Sequence, residues 1–187
     1  MEGDVNDDLI DAALAIIAER GFIGLNLRSM AEATGQPLSA IYGQMPDGYA
    51  VIDELGQRAD DAMLDAAVAL PAESSPKDRL FELIMARLDY LEPYRGTLKR
   101  LRQDARSTPG IAVAAGRNID RAARHLVDAA KLPYRGLRAQ LAAKALGALL
   151  LRVLPTYLED EGDDLPKTMA MLDRQLNEAD QLARWFG

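Results

Sequence analysis

Residues 19–45, Glu-Arg-Gly-Phe-Ile-Gly-Leu-Asn-Leu-Arg-Ser-Met-Ala-Glu-Ala-Thr-Gly-Gln-Pro-Leu-Ser-Ala-Ile-Tyr-Gly-Gln-Met, hold the side chains whose types and spacing point most directly to a chemistry. They read as the end of one helix, a short helix, a tight turn and a second short helix. Asn26 is placed to cap a helix starting at Leu27, because its side-chain oxygen can accept a free first-turn N–H. Met30 and Ala31 point inward, and Gly35 supplies the left-handed residue that ends the helix. Ile41, Tyr42 and Met45 stand at helical spacing on a second segment opened by Pro37-Leu38-Ser39. A helix-turn-helix of this kind lays its second helix in the major groove of DNA. Arg28, at a helix N-terminus, is placed to meet a phosphate. The chemistry implied is non-covalent recognition of a polyanion.

Charge opposes that reading. Residues 1–55 carry ten acidic side chains and only two basic ones, Arg20 and Arg28, a net of −8, whereas residues 56–187 sum to +1. Affinity for DNA comes largely from Lys and Arg displacing counterions from phosphates. A segment at −8 is repelled over a Debye length of about 8–10 Å.

Covalent and metal chemistry find no footing. The 187-residue chain has no cysteine, hence no disulfide frame, thiolate site or thiol nucleophile. His125 is the only histidine, which argues against a histidine metal cluster or a His-dependent triad; it reads as a surface or pocket-lining residue. The acid pairs Asp60-Asp61 and Asp163-Asp164 read as solvent-facing. There is no phosphate-cradling glycine loop, metal-ligand spacing or nucleophile elbow, so the chain reads as a non-enzyme without a cofactor. Met1–Asp8 is acidic where a signal peptide is basic, and the apolar run Ala145–Leu151 is far short of the roughly 20 residues of a membrane span. A cytoplasmic protein with no membrane span is expected.

The elements that must position these residues are helical throughout. Helix one runs from about Asp7 to Arg20. Asp47 is set to cap a helix from Gly48 to about Leu70, with Val51, Ile52, Leu55, Met63, Leu64 and Val68 inward. Pro71–Pro76 breaks the chain; Ser75 then caps, and Pro76 starts, a helix with Leu80, Phe81, Ile84, Met85, Leu88 and Leu91 on one face. Helices near 95–106 and 109–131 follow. Residues 95–138 hold eleven basic and three acidic groups, read as a solvated face, with an anionic ligand or partner as the sharper alternative. Two apolar helices close the chain, near 136–158, where Pro155 is expected to introduce a kink, and from Pro166 onward. The fold class is all-α with about nine helices.

A small three-helix head on a larger helical body resembles the TetR family of transcriptional regulators. The likeness is carried by Glu19-Arg20-Gly21-Phe22, then Leu27-Arg28-x-Met30-Ala31-Glu32-x-x-Gly35, then Ile41-Tyr42. The resemblance implies a head over 1–47, a connecting helix over 48–70 and a ligand-binding, dimerising body over 76–187. It also implies a double-stranded DNA operator, a small ligand of apolar or anionic character, and a homodimer through 137–158 and 167–186. Carried over position by position, Asn26 and Arg28 fall where the family meets phosphates, Gln36, Pro37, Leu38 and Ser39 open the recognition helix, and Tyr42 matches a phosphate-touching tyrosine. Gln44 stands where the family favours histidine, Met45 where it favours phenylalanine, and Gly48 where it very often has lysine. Leu38, Ser39, Ala40 and Gly43 offer little for bidentate base contacts. A fainter likeness, over 79–100 and 168–185, is to the TetR-fold accessory protein of coenzyme Q biosynthesis, a lipid binder.

Two function classes follow: a ligand-responsive DNA-binding regulator, acting as a repressor, and a TetR-fold protein that has lost DNA binding and works through lipid, small-molecule or protein partners. For the ligand site, helical phase selects Phe81, Met85, Tyr90, Tyr94 and His125, an apolar set with a few polar tips. For the dimer, Ala142, Ala145, Gly147 and Ala148 permit close approach, and the stripe Leu172, Leu176, Ala179, Ala183, Phe186 calls for a partner.

Overall fold

The computed structural model describes residues 2–162 and 164–186, with side-chain surroundings described for 7–162 and 164–181. Among these there are nine α-helices and no strand: α1 (Glu2–Arg20), α2 (Leu27–Thr34), α3 (Leu38–Gln44), α4 (Tyr49–Ala69), α5 (Pro76–Leu91), α6 (Arg95–Asp104), α7 (Pro109–Ala129), α8 (Leu137–Glu159) and α9 (Pro166–Phe186). Short 3₁₀ turns at Phe22–Gly24 and Glu92–Tyr94 follow α1 and α5.

Local chemistry sets the helix starts. Asp47 Oδ1 accepts from the N–H groups of Tyr49 and Ala50, and Ser75 Oγ accepts from that of Asp78, so both helices begin where an oxygen takes up their free donors. α9 is capped from a distance. The fully buried Asp160 accepts from Thr168 N at 2.7 Å and Thr168 Oγ1 at 2.9 Å. Burial pushes the Asp160 carboxyl up, but the hydrogen bonds from Thr168 and from backbone N–H groups outweigh it and hold it below its ordinary value.

The chain forms two compact units, residues 1–58 with 93–118, and residues 59–92 with 119–187. In the first, Leu9, Ala13, Leu14 and Ile17 of α1 are buried with Met30, Ile41, Met45 and Leu101. α6 is tied to α1 and the turn after it: Thr97 Oγ1 donates to Leu14 O, and Phe22 N donates to Asp104 Oδ2 at 2.7 Å. The opening turns of α4 meet α7 so closely that a Cβ on Gly56 would lie 2.5 Å from Asn118 Nδ2. That amide donates to Ile52 O at 2.8 Å.

The second unit buries Met63, Leu83, Ile84, Leu126, Tyr157, Leu158, Leu172 and Leu176. Tyr157 lodges its hydroxyl on Leu88 O at 2.9 Å, which satisfies the one polar atom of a buried aromatic. α8 reaches the length and hydropathy of a membrane span, yet Leu146, Leu149, Leu150, Val153 and Tyr157 are buried in the protein's own core.

Several sequence expectations change. Val68 is 88% exposed, because α4 is nearing its end at Ala69 and its outer face turns to water there. Leu172 and Leu176 are buried inside the chain by α5 and α8, so they need no second copy. Gly147 faces Ala123 and Ile119 of α7, both 3.7 Å from where its Cβ would be. Ala183, Phe186 and Asp163 lie outside the residues whose side chains are described.

Candidate functional site

The helix-turn-helix forms as its local chemistry directs. Asn26 Oδ1 accepts from Arg28 N at 3.0 Å and Ser29 N at 3.1 Å, while Ser29 Oγ returns the bond to Asn26 N. This reciprocal capping box fixes the start of α2. Ser29 was not among the sequence candidates, although a polar residue three places after a cap is its signal. Asn26 also donates through Nδ2 to Gly24 O. Its side chain is thus engaged in the turn and aims α2, while the residue remains exposed. Gly35, at φ 68°, makes the left-handed turn into α3, and Gln36 N bonds Thr34 Oγ1 across it.

α3 is held by one face. Ile41 is fully buried and Met45 nearly so, which turns Pro37, Leu38, Ser39, Tyr42, Gly43 and Gln44 outward, with Gln36 half-buried at the turn. Tyr42 is 60% exposed and Leu38 52%, so neither serves mainly to cover the head's core. Gln44 Nε2 folds back 3.4 Å to Ala40 O.

Cations are sparse here. Arg20 pairs with Glu19, and Arg58 with Asp7 and Glu54. Among the described residues Arg28 is exposed and has no ion-pair partner, which leaves it as the free cation of residues 7–58. Gly48, where the resembled family very often has lysine, is a tight seat: a Cβ would sit 3.1 Å from Phe22 Cζ and 3.2 Å from Leu25 Cδ2, so both side chains would have to give by a few tenths of an ångström. Phe22 itself is fixed against Tyr49, with ring centroids 5.0 Å apart.

The charge imbalance read from the sequence is a property of a sequence window. The first unit also contains 93–118, which brings six basic side chains (Arg95, Lys99, Arg100, Arg102, Arg106, Arg117) and one acidic one, Asp104. Nine basic against eleven acidic groups leave that unit at −2. Lys99 and Arg106 on and after α6 are exposed.

The five ligand-site residues divide between the units. Tyr94 lies in the first, and its hydroxyl donates to Asp11 Oδ1 at 3.3 Å. Phe81, Met85 and Tyr90 on α5 and His125 on α7 lie in the second, all half-buried. Phe81 faces an open groove of about 440 Å³ shared with Glu82, Met169 and Asp173. A larger, mainly apolar groove of about 510 Å³ runs between α5, α8 and α9, lined by Leu80, Leu141, Ala145, Leu146, Leu176 and Ala179.

Asp60 is not at the surface, unlike its neighbour Asp61. It is 2% exposed, and Arg121 and Arg87 converge on it. The basic residues of α7 are paired as well: Arg117 with Asp53, and Arg124, with Lys144 of α8, on Asp120. The part of the basic window that lies on α7 thus becomes ion pairs, within α7 and with α4, α5 and α8 through shared carboxylates.

No family model matches the chain, and no curated protein matches it. Solved structures do. The chain is similar to a TetR transcriptional regulator from Nitrosomonas europaea, with a TM-score of 0.78 and 22% identity over 95% of this chain and 99% of that one. A Rhodococcus protein described as a member of the same family gives 0.65 and 20%, covering 92% and 96%. A Saccharomonospora viridis protein solved in complex with choline, and described as a candidate transcriptional regulator, gives 0.54 and 18%, covering 94% and 95%. The chain therefore has the all-α fold of the TetR-family regulators.

Proposed function

We propose that this protein is a homodimeric, ligand-responsive DNA-binding regulator of transcription. The observation that carries the reading is the head: a capping box and a left-handed glycine aim two short helices, and buried Ile41 and Met45 present Leu38, Ser39, Tyr42 and Gln44 outward beside an unpaired Arg28. A second copy has a surface to meet. Leu137, Leu141, Ala145, Ala148 and Leu151 of α8 are exposed along one side, at the three-to-four spacing of a helix–helix seam. Ligand binding in the body, and repression relieved by it, complete the reading.

The test is a fluorescence-anisotropy titration of the full chain on duplexes from upstream of its own reading frame and on random duplexes, from about 50 to 200 mM salt. With Arg28 the one unpaired cation of residues 7–58, two or three ions released per dimer are expected if the contacts come from the helix-turn-helix alone, against about six to ten for a protein making many phosphate contacts. Arg28→Ala removes most of the affinity. No binding at about 50 mM salt by a folded dimer refutes the reading. It would leave the second one, a TetR fold that has given up DNA, which is favoured by the tight seat at Gly48 and the net negative first unit.

A further inference from the structure

Asp60 of α4, Arg87 of α5 and Arg121 of α7 meet inside the second unit. Arg121 Nε donates to Asp60 Oδ2 at 2.7 Å, and Arg87 Nη2 lies 3.2 Å from Asp60 Oδ1 without hydrogen-bond alignment. Asp60 is 2% and Arg87 7% exposed. One carboxylate between two guanidinium groups leaves a surplus positive charge in the interior. The protein does not absorb it. Arg87 Nη1, Arg121 Nη2 and Asp60 Oδ1 are all buried and meet no hydrogen-bond partner.

A finished structural ion pair needs one arginine. A second one adds like-charge repulsion and the desolvation of another ion, which is costly when nothing neutralises it. The Arg87 guanidinium feels this: burial and Arg121 both act against its charged form, and Asp60 offsets them only in part. An apolar residue would pack there with less penalty. What accounts for two arginines is a third group that brings one negative charge and accepts from the two idle nitrogens.

We propose that Arg87 and Arg121 are the anion-recognising end of the ligand site in the body, and that the ligand carries a monoanionic carboxylate on an apolar frame. A carboxylate matches the surplus of one charge and has two oxygens for two guanidinium donors. The apolar frame follows from the face of α5 that carries Arg87, where Leu83, Ile84 and Leu91 lie one turn away, all buried. Arg121 is the least buried member of the cluster, its side chain 29% exposed, and His125 stands one turn further along the same face of α7. A quaternary ammonium, like the choline of one structural neighbour, carries the wrong sign for this cluster. The proposal deepens the ligand-responsive reading above and rests on it for its consequence, while the binding event itself is measurable without DNA.

The experiment is calorimetric titration of the full chain, free of DNA and at constant ionic strength, with octanoate, 1-octanol and octyl phosphate, alongside thermal melts. Octanoate is expected to bind saturably at one per protomer. The matched alcohol should bind at least about tenfold more weakly, as expected for loss of a charged hydrogen bond. Arg121→Gln and Arg87→Met should each weaken octanoate by about tenfold or more. Arg87→Met should do so without lowering the melting temperature of the ligand-free protein, since it leaves Asp60 and Arg121 as a neutral pair. Equal binding of octanoate and octanol, preference for octyl phosphate, no saturable octanoate binding at millimolar concentration, or undiminished octanoate binding by both variants overturns the proposal. Failure of the head to bind DNA leaves this result standing, so the two readings fail separately.

Discussion

Gly56→Ala is a substitution whose sign depends on structure against propensity. Gly56 lies inside α4, where exchanging glycine for alanine normally stabilises a helix by about 1 kcal/mol. Here the new Cβ would stand 2.5 Å from Asn118 Nδ2 and 2.6 Å from its Cγ, well inside contact distance. Asn118 cannot step aside freely. It is 6% exposed, its amide donates to Ile52 O at 2.8 Å, and its Oδ1 already has no partner. Moving it breaks a buried hydrogen bond, at about 1–3 kcal/mol. Overpacking adds about 1–3 kcal/mol more. Less the propensity gain, the variant should be destabilised by about 1–5 kcal/mol. At about 2–4 °C per kcal/mol for a chain of this length, a central value near 3 kcal/mol lowers Tm by about 6–12 °C. Scanning calorimetry of the wild type, Gly56→Ala, Asn118→Ala and the double variant reads the coupling directly. The double variant should be more stable than the sum of the singles by at least about 1 kcal/mol, because the obstacle has gone. A Gly56→Ala protein that melts at or above the wild-type temperature refutes the argument.

Three further outcomes are expected. Asp160→Asn should lose about 1–3 kcal/mol at pH 7. The folded Asp160 carboxyl is held below its unfolded value, so its contribution is present above about pH 3.9 and is lost as pH falls through the folded pKa; the gap between wild type and variant should therefore narrow below about pH 4, and a gap independent of pH would contradict the capping role. Asn26→Ala should lower stability by about 1 kcal/mol through the lost cap, read from urea melts, and an unchanged midpoint would show that Ser29 and the turn suffice without it. Leu141→Asp with Leu151→Asp should convert the proposed dimer to monomer in sedimentation while leaving helicity intact, since both side chains are more than half exposed; a surviving dimer would place the seam elsewhere.

The parts of the fold that could be read from the sequence are those decided within four residues. Asn26, Asp47 and Ser75 cap helices because a short polar side chain meets amides two or three places on, and Gly35 ends α2 because its backbone angle is a local matter. What depended on distant partners was not legible. Asp60 sits four residues after Gly56 and three before Met63, on the face that α4 buries, and that phase was a usable signal. No window, however, announces that Arg87 and Arg121 arrive from other helices. The charge that accompanies the head was not legible for the same reason: Lys99, Arg100 and Arg106 share one compact unit with residues 1–58 and are far from them in sequence. Leu172 and Leu176 showed an apolar stripe correctly, but a stripe does not say whether its cover is α5 and α8 of the same chain or a second copy.

The bonds from Phe22 N to Asp104 and from Thr97 to Leu14 O bear on how such a protein can be re-engineered. Recognition modules are commonly exchanged by cutting a chain once, between one domain and the next. Here that cut would strand α6 with the wrong half, leaving an amide at the α1 turn without its carboxylate and a threonine hydroxyl without its carbonyl. A transplantable helix-turn-helix unit from this chain is two segments, residues 1–58 and 93–118, and a graft that carries only the first brings the helix-turn-helix without the helix that braces it.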